Sequence, residues 1–328
     1  MASLSPEFPQ AFQPSFVGSS INTGSLEEAR ELLESREPNR VMRAVQLVRD
    51  EMHLARQQFG TEEEWKSAIT HEIRANGVFD ILHEDPFIGR SYVKPRGYAG
   101  DAVLLDFIYH HPAIGPYLDA ATPRGRASTG FSTNSPAPRA VRNRAWLLAT
   151  EIDAICGRNP KAQILSMASG HLREVLHSRA VQQRTFGRFV ALDQDRQSVE
   201  AVREDLSQLG VEAQEGSVKD VIARGGRLGC FDFIYAAGLY DYLDDRVAKR
   251  LLVSLFGLLK KGGKVWIANF LPDIPDRAFM ESFMDWWLVY RTPEQMRELA
   301  EPLAAGGCSG ARTFVEHEGN IVFLEVCR

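Results

Sequence analysis

Gln163-Ile164-Leu165-Ser166-Met167-Ala168-Ser169-Gly170-His171 is the stretch on which the fold of this chain turns. Its first five residues are mostly apolar and read as a buried strand. Ala168, Ser169 and Gly170 read as a tight turn into a helix beginning near Leu172. Such a turn lets a ligand approach the backbone and meet free amides at a helix start. The same texture continues toward the C-terminus, with strands expected at 163–167, 189–192, 211–214, 231–236, 264–269, 313–316 and 321–325. Helical stretches separate the first five, which requires crossover connections and a parallel sheet. The last two are joined only by His317-Glu318-Gly319-Asn320, a hairpin loop, so at least one of them runs antiparallel.

Toward the N-terminus the pattern is helical. Ser25-Leu26-Glu27-Glu28 reads as a capping box, and Thr61-Glu62-Glu63-Glu64 caps a later helix. Between them Val41, Val45, Val48, Met52, Ala55 and Phe59 recur at steps of three and four, one face of a 3.6-residue period. Pro86, Gly89, Pro95, Gly97 and Gly100 mark 85–100 as a shaped loop carrying or flanking Tyr92, Lys94, Arg96, Tyr98 and Asp101. Residues 104–109 and 139–152 look helical, and the Pro/Gly/Ser/Thr-rich stretch 112–138 between them reads as a long loop, a candidate lid. The expected organisation is an N-terminal arm (1–24), a helical cap (25–145) and a Rossmann-like sheet domain (146–328).

A chain of 328 residues with 44% hydrophobic and 25% charged residues is long enough for a sizeable core, and a net charge of -5 offers no basic footprint for nucleic acid or an anionic membrane. Cys156, Cys230, Cys308 and Cys327 show no C-x-x-C spacing, which argues against a disulfide framework or zinc knuckle and fits a reducing cytoplasm. No leader peptide and no membrane span are expected.

The second strand closes on Asp193, 23 residues after Gly170. That is close to the roughly 20-residue spacing at which an acid receives ribose hydroxyls. A dinucleotide would want the full G-x-G-x-x-G turn for its pyrophosphate, whereas this chain offers Ala168, Leu172 and Arg173 in that stretch. An adenosyl group without phosphate fits the looser turn.

Five separated stretches carry a resemblance: GYAGD (97–101), PAPRAVRNR (136–144), ILSMASGHLREV (164–175), FDFIYAAGLYDYL (231–243) and ANFLPDIPDRAFMESFMDWWLVYRT (268–292). In this order the chain resembles, from about 90 to 326, bacterial class I S-adenosylmethionine (SAM)-dependent methyltransferases of the extracellular-factor, or 3-hydroxypalmitate methyl ester, biosynthesis type. The resemblance implies a seven-stranded Rossmann-like sheet with a helical N-terminal cap and SAM as cofactor. It implies a SAM site from the Ala168-Ser169-Gly170-His171 turn, Asp193, Gly216-Ser217-Val218 for the adenine, and Ala237-Gly238; Gln194 and Tyr242 are further candidates for binding the cofactor. Ala168 replaces the family's usual first glycine.

Trp286, Trp287 and Tyr290 fall in an expected helical span, 286 and 290 sharing a face. An aromatic face gains roughly 0.5–2 kcal/mol from a sulfonium when water is excluded, which makes Tyr290, Tyr92 and Tyr98 candidates for an aromatic box. Arg96, Arg139, Arg142 and Arg291 are candidates for a bidentate grip on a carboxylate, Arg139 being the one assigned to the cofactor. Tyr98, Asp101, Asn134 or Asn269 is expected to position an acceptor. His71-Glu72 lacks the second histidine of H-E-x-x-H, so no metal is expected, and no G-x-S-x-G elbow is present. The expected activity is methyl transfer from SAM to a small molecule. Its alternatives are cyclisation of SAM to azetidine-2-carboxylate with release of methylthioadenosine, and SAM binding without catalysis.

Overall fold

The computed structural model describes residues 21–35, 37–304 and 306–328. All but the last four residues of the expected N-terminal arm lie outside them. Seven strands form one sheet: β1 (Gln163–Met167), β2 (Arg188–Asp193), β3 (Val211–Glu215), β4 (Phe231–Ala236), β5 (Leu259–Phe270), β6 (Gly310–Val315) and β7 (Ile321–Cys327). Their order is β3-β2-β1-β4-β5-β7-β6. The pairs among β1 to β5 are parallel, and β7 runs antiparallel between β5 and β6. This is the Rossmann-like arrangement expected from the alternation of strands and helices, with the C-terminal hairpin inserted at one edge.

Strand residues alternate between two cores because successive side chains leave opposite faces of a sheet. Leu165, Met167, Val190, Ile234, Val265 and Leu324 pack under the Asp245–Gly257 helix with Leu251 and Leu255. Ile164, Phe189, Phe233, Tyr235, Trp266 and Phe323 face the other way, into a core continuous with the cap. The Pro136–Arg158 helix lines that second core and crosses the boundary expected at 145/146, so cap and sheet share one helix.

The cap is a stack of helices, among them Thr23–Glu34, Pro38–Arg56, Glu62–Ala68, Gly77–Leu82, Pro86–Val93 and Ala102–Ile108. The capping box at Thr61 forms with Glu64. The one expected at Ser25 does not: Asn22 caps the helix by accepting from the Gly24 amide, and its own amide donates to Glu51. The loop expected over 85–100 is helical through Val93, with Asp85 as cap, and only 94–101 is irregular.

The long loop expected at 112–138 is also helical, with Gly115–Ala120, Pro123–Ser132 and the start of Pro136–Arg158 inside it. Its small polar residues form a helix face. Ser128, Thr129 and Ser132 all donate to the buried Asp85 carboxylate, at 2.6–2.9 Å. That carboxylate satisfies hydroxyls which, read singly, signal a turn.

Candidate active site

Ligands of open parallel sheets bind at the carboxyl ends of the strands. After β1 the chain passes through left-handed backbone at Ala168, Gly170 and Leu172 (φ 53°, 54° and 54°). This aims the Gly170 amide at Asp193 Oδ2, 2.7 Å away, while Oδ1 accepts from the Asp195 amide at 2.8 Å. Burial pushes the Asp193 carboxyl above the usual range, and the amides of Asp195 and Gly170 work against that rise. The Gly216 amide donates to the Asp193 carbonyl at 2.9 Å, bringing the end of β3 alongside. The helix expected from Leu172 is a 3-10 turn, Arg173–His177. The left-handed Leu172 and the hold of Asp106 on both His171 and Arg173 replace a regular helix start.

The cap closes over this turn. Arg96 pairs with Asp195 at 2.9 Å and reaches Ser198 at 3.1 Å. A Cβ built on Gly170 would meet the Ala102 side chain at 3.4 Å, and one on Gly100 would meet Tyr242 Oη at 2.5 Å and Trp286 at 2.6 Å. The cap loop therefore lies directly on the sheet edge. Burial, and next the carboxylates of Asp193 and Asp195, raise the Tyr98 phenol well above its ordinary value, so it remains a neutral hydrogen-bond donor.

Across the switch point, Arg144 donates to the Ala237 carbonyl at 2.6 Å and is 3% exposed, with no partner at Nε among the described residues. The segment expected to be helical through Tyr290 is not. The Arg277–Phe283 helix ends at Met284, and Asp285 takes φ 46° while bonding Lys94 and Trp287. Residues 286–291 then run as a strap across the strand ends: the Val289 amide donates to the Asp241 carbonyl at 2.7 Å and the Arg291 amide to the Phe270 carbonyl at 3.1 Å. Trp286 and Tyr290 thus share the site through the strap and not through helical spacing. Trp286 Nε1 donates to Tyr242 Oη at 2.8 Å, and the buried Tyr290 hydroxyl has no partner among the described residues. An apolar cavity runs from this wall into the cap, lined by Val45, Phe131, Val141, Phe270, Met280 and Trp286 among others.

Of the residues predicted for the site, Tyr98, Ala168, Ser169, Gly170, Asp193, Ala237, Gly238, Tyr242 and Tyr290 come to this edge. Gln194 is exposed beside Asp193. Ser217 and Asp220 bond each other at the start of the Val218–Arg224 helix. Five others are held by partners of their own. Tyr92 packs on Phe79 and His83 with Arg74 over its ring. Asp101 is a helix cap bound by both arms of Arg90. Asn134 bonds Gly130 and Arg142, and Arg139 reaches Glu318 in the β6–β7 hairpin. Asn269, with Arg291, ties the strap to β5.

Sequence reasoning missed Arg144 and Asp241. Both lie in quoted motifs, and Arg144 carries a legible signal: an arginine one turn from Ala140, Val141 and Leu148 on the apolar face of its helix.

No protein-family model matches the chain, and no curated protein matches it in sequence. Solved structures do. A Bordetella parapertussis protein described as a possible exported protein superposes with a TM-score of 0.53 at 16% identity, covering 97% of this chain and 99% of that one. Magnesium protoporphyrin IX methyltransferase from Synechocystis, with bound S-adenosylhomocysteine, gives 0.44 at 12% identity over 58% of this chain and 86% of that one. The pyocyanin biosynthetic protein PhzM gives 0.45 at 14% identity, with 80% and 76% covered. Among the described residues no helix is long and apolar enough to cross a membrane. Strand order and the full-length likeness together give the chain a seven-stranded Rossmann-like fold shared along its length with the Bordetella protein.

Proposed function

We propose that the carboxyl edge binds SAM and that the chain transfers its methyl group to a small-molecule acceptor. One observation carries the reading: Gly170, Asp193, Tyr98 and Arg144 converge on one strand edge under the cap loop. Asp193 receives the ribose hydroxyls, Gln194 and the Gly216–Val218 segment border the adenine, and the free Nε of Arg144 receives the methionine carboxylate. SAM supplies an electrophilic carbon on a cationic sulfur, and displacement there needs little covalent help. The cap loop excludes water, and the tyrosine wall orients the reacting groups and faces the positive charge. We also place the reaction in a reducing cytoplasm, which four cysteines without a disulfide support.

A second reading, cyclisation of SAM by its own amine, is favoured by the close packing of Gly100 on Tyr242 and Trp286, which narrows the strand edge at that point. Incubation with SAM alone, read by mass spectrometry, separates the two. Methyl transfer leaves S-adenosylhomocysteine and needs an acceptor. Acceptor-independent methylthioadenosine above an enzyme-free control would replace the first reading by the second. Absence of SAM binding in calorimetry would reject both.

A further inference from the structure

Asp241 lies at the carboxyl end of β4, in the 3-10 turn Tyr240–Tyr242, and is 3% exposed. Its Oδ1 accepts from the Phe270 amide at 2.8 Å, and among the described residues no other hydrogen-bond donor reaches the carboxyl. Two guanidiniums face it without pairing. Arg144, from the Pro136–Arg158 helix, is directed to the Ala237 carbonyl. Arg291, from the strap, is spent on Tyr240, Leu243, Asn269 and Asp245. The other titratable neighbours are Tyr242 on its own turn and Tyr290 on the strap. Burial pushes this carboxyl up to about 7, so both of its protonation states are populated near neutrality, the condition that suits a group exchanging protons.

We propose that Asp241 takes the proton of the attacking nucleophile, which makes the acceptor a protic group, a hydroxyl or an amine, and not a carboxylate. The inference rests on SAM-dependent displacement as proposed above. In the step, a lone pair on the acceptor's oxygen or nitrogen forms the new bond to carbon. The carbon–sulfur bond breaks with its electron pair going to sulfur, which becomes a neutral thioether. The acceptor's proton passes to the Asp241 carboxylate and leaves to water after product release. A carboxylate acceptor arrives already ionised and has no use for this base. Were the nucleophile the amine of SAM itself, the proton leaving its ammonium would go to the same oxygen.

The test uses the full chain and three measurements. Calorimetry establishes SAM binding. Infrared titration follows the carboxylic-acid band present in the wild type and missing from Asp241→Asn, with and without saturating SAM. Product analysis between pH 5.5 and 8.5 compares SAM alone, an alcohol, an amine and a carboxylate. The expected result is a band whose midpoint falls by about one pH unit or more when a cation binds beside it. Turnover should rise with pH through that midpoint and fall about 100-fold or more in Asp241→Asn, while SAM affinity above the midpoint falls only by about tenfold, the factor that a one-unit shift sets by linkage. Should Asp241→Asn misfold, Asp241→Glu, which keeps a base on a longer arm, should retain the rising limb at a shifted pH. A band indifferent to bound SAM, or Asp241→Asn that methylates any acceptor at the wild-type rate with an unchanged profile, would overturn the inference. Wild-type protein that binds no SAM fails the earlier reading instead.

Discussion

The two halves of the strand edge treat their buried charges in opposite ways. On the β1–β2 side every one is closed: Asp193 accepts two backbone amides, Asp195 is held by Arg96 and Ser198, and Asp106 holds His171 and Arg173. On the β4–β5 side the hydroxyls of Tyr240 and Tyr290 and the Nε of Arg144 have no partner among the described residues, and Asp241 has a single amide. A buried polar group left unpaired costs about 1–3 kcal/mol, a large share of the 5–15 kcal/mol by which a domain is stable. The chain bears that cost on one side of the switch point only. A closed network fixes the shape of what is bound; an open one leaves donors and acceptors for a ligand and for a reaction.

The largest effect that sharpens this contrast concerns Asp241. Its folded pKa of about 7 lies above the unfolded value near 3.9, so between these limits the folded chain holds a proton that the unfolded chain has lost. The stability contribution is therefore full below pH 4, is lost as pH rises through about 7, and is flat above. Against Asp241→Asn, which cannot titrate, wild-type stability should fall by about 3–4 kcal/mol across that window in urea unfolding. A pH-independent difference would mean that this side is as well paired as the other.

Next in size is Asp193→Ala. Two ribose hydroxyls lose an ionised acceptor worth about 1.5 kcal/mol each, so SAM affinity should fall by about 3 kcal/mol in calorimetry. Unchanged affinity would remove Asp193 from the ligand. Arg144→Met should cost SAM about 1.5 kcal/mol through one lost charge-assisted contact and leave methylthioadenosine, which lacks the amino-acid carboxylate, unaffected. Equal losses for both ligands would make Arg144 a support of the Ala237 carbonyl and nothing more.

The closed side was also the more legible one. β1 and β2 are short runs buried on both faces, so the sequence pattern locates them within a residue or two, and the spacing from Gly170 to Asp193 survives as a 2.7 Å hydrogen bond. β5 starts at Leu259, five residues before its expected beginning, because Lys260 to Gly263 are polar or small and its pairing with β4 shifts register there. On the open side, Trp286 and Tyr290 imitate a helical face, while a left-handed Asp285, held by Lys94 of the cap loop, turns that stretch into a strap. In the cap, Ser128, Thr129 and Ser132 read as loop because nothing in their own neighbourhood shows Asp85 waiting more than forty residues upstream. Local pattern failed wherever a partner distant in sequence fixed the backbone.

The smallest effect tests whether the closed side is also unstrained. Ala168 and Leu172 take nearly the same left-handed φ, 53° and 54°, but Ala168 is part-exposed and Leu172 is 1% exposed. A non-glycine residue there costs about 1–2 kcal/mol, and glycine gives back about 0.5–1 kcal/mol as unfolded-chain entropy. Ala168→Gly should therefore stabilise the chain by about 0.5 kcal/mol, a rise in Tm of about 1–2 °C. Leu172→Gly relieves the same backbone but removes a buried side chain worth about 2–5 kcal/mol even when truncated only to alanine, and should destabilise. Thermal unfolding of the two variants should give opposite signs. If Ala168→Gly also lowers Tm, the Ala168 methyl is packed, and alanine at this position is a contact instead of a tolerated strain.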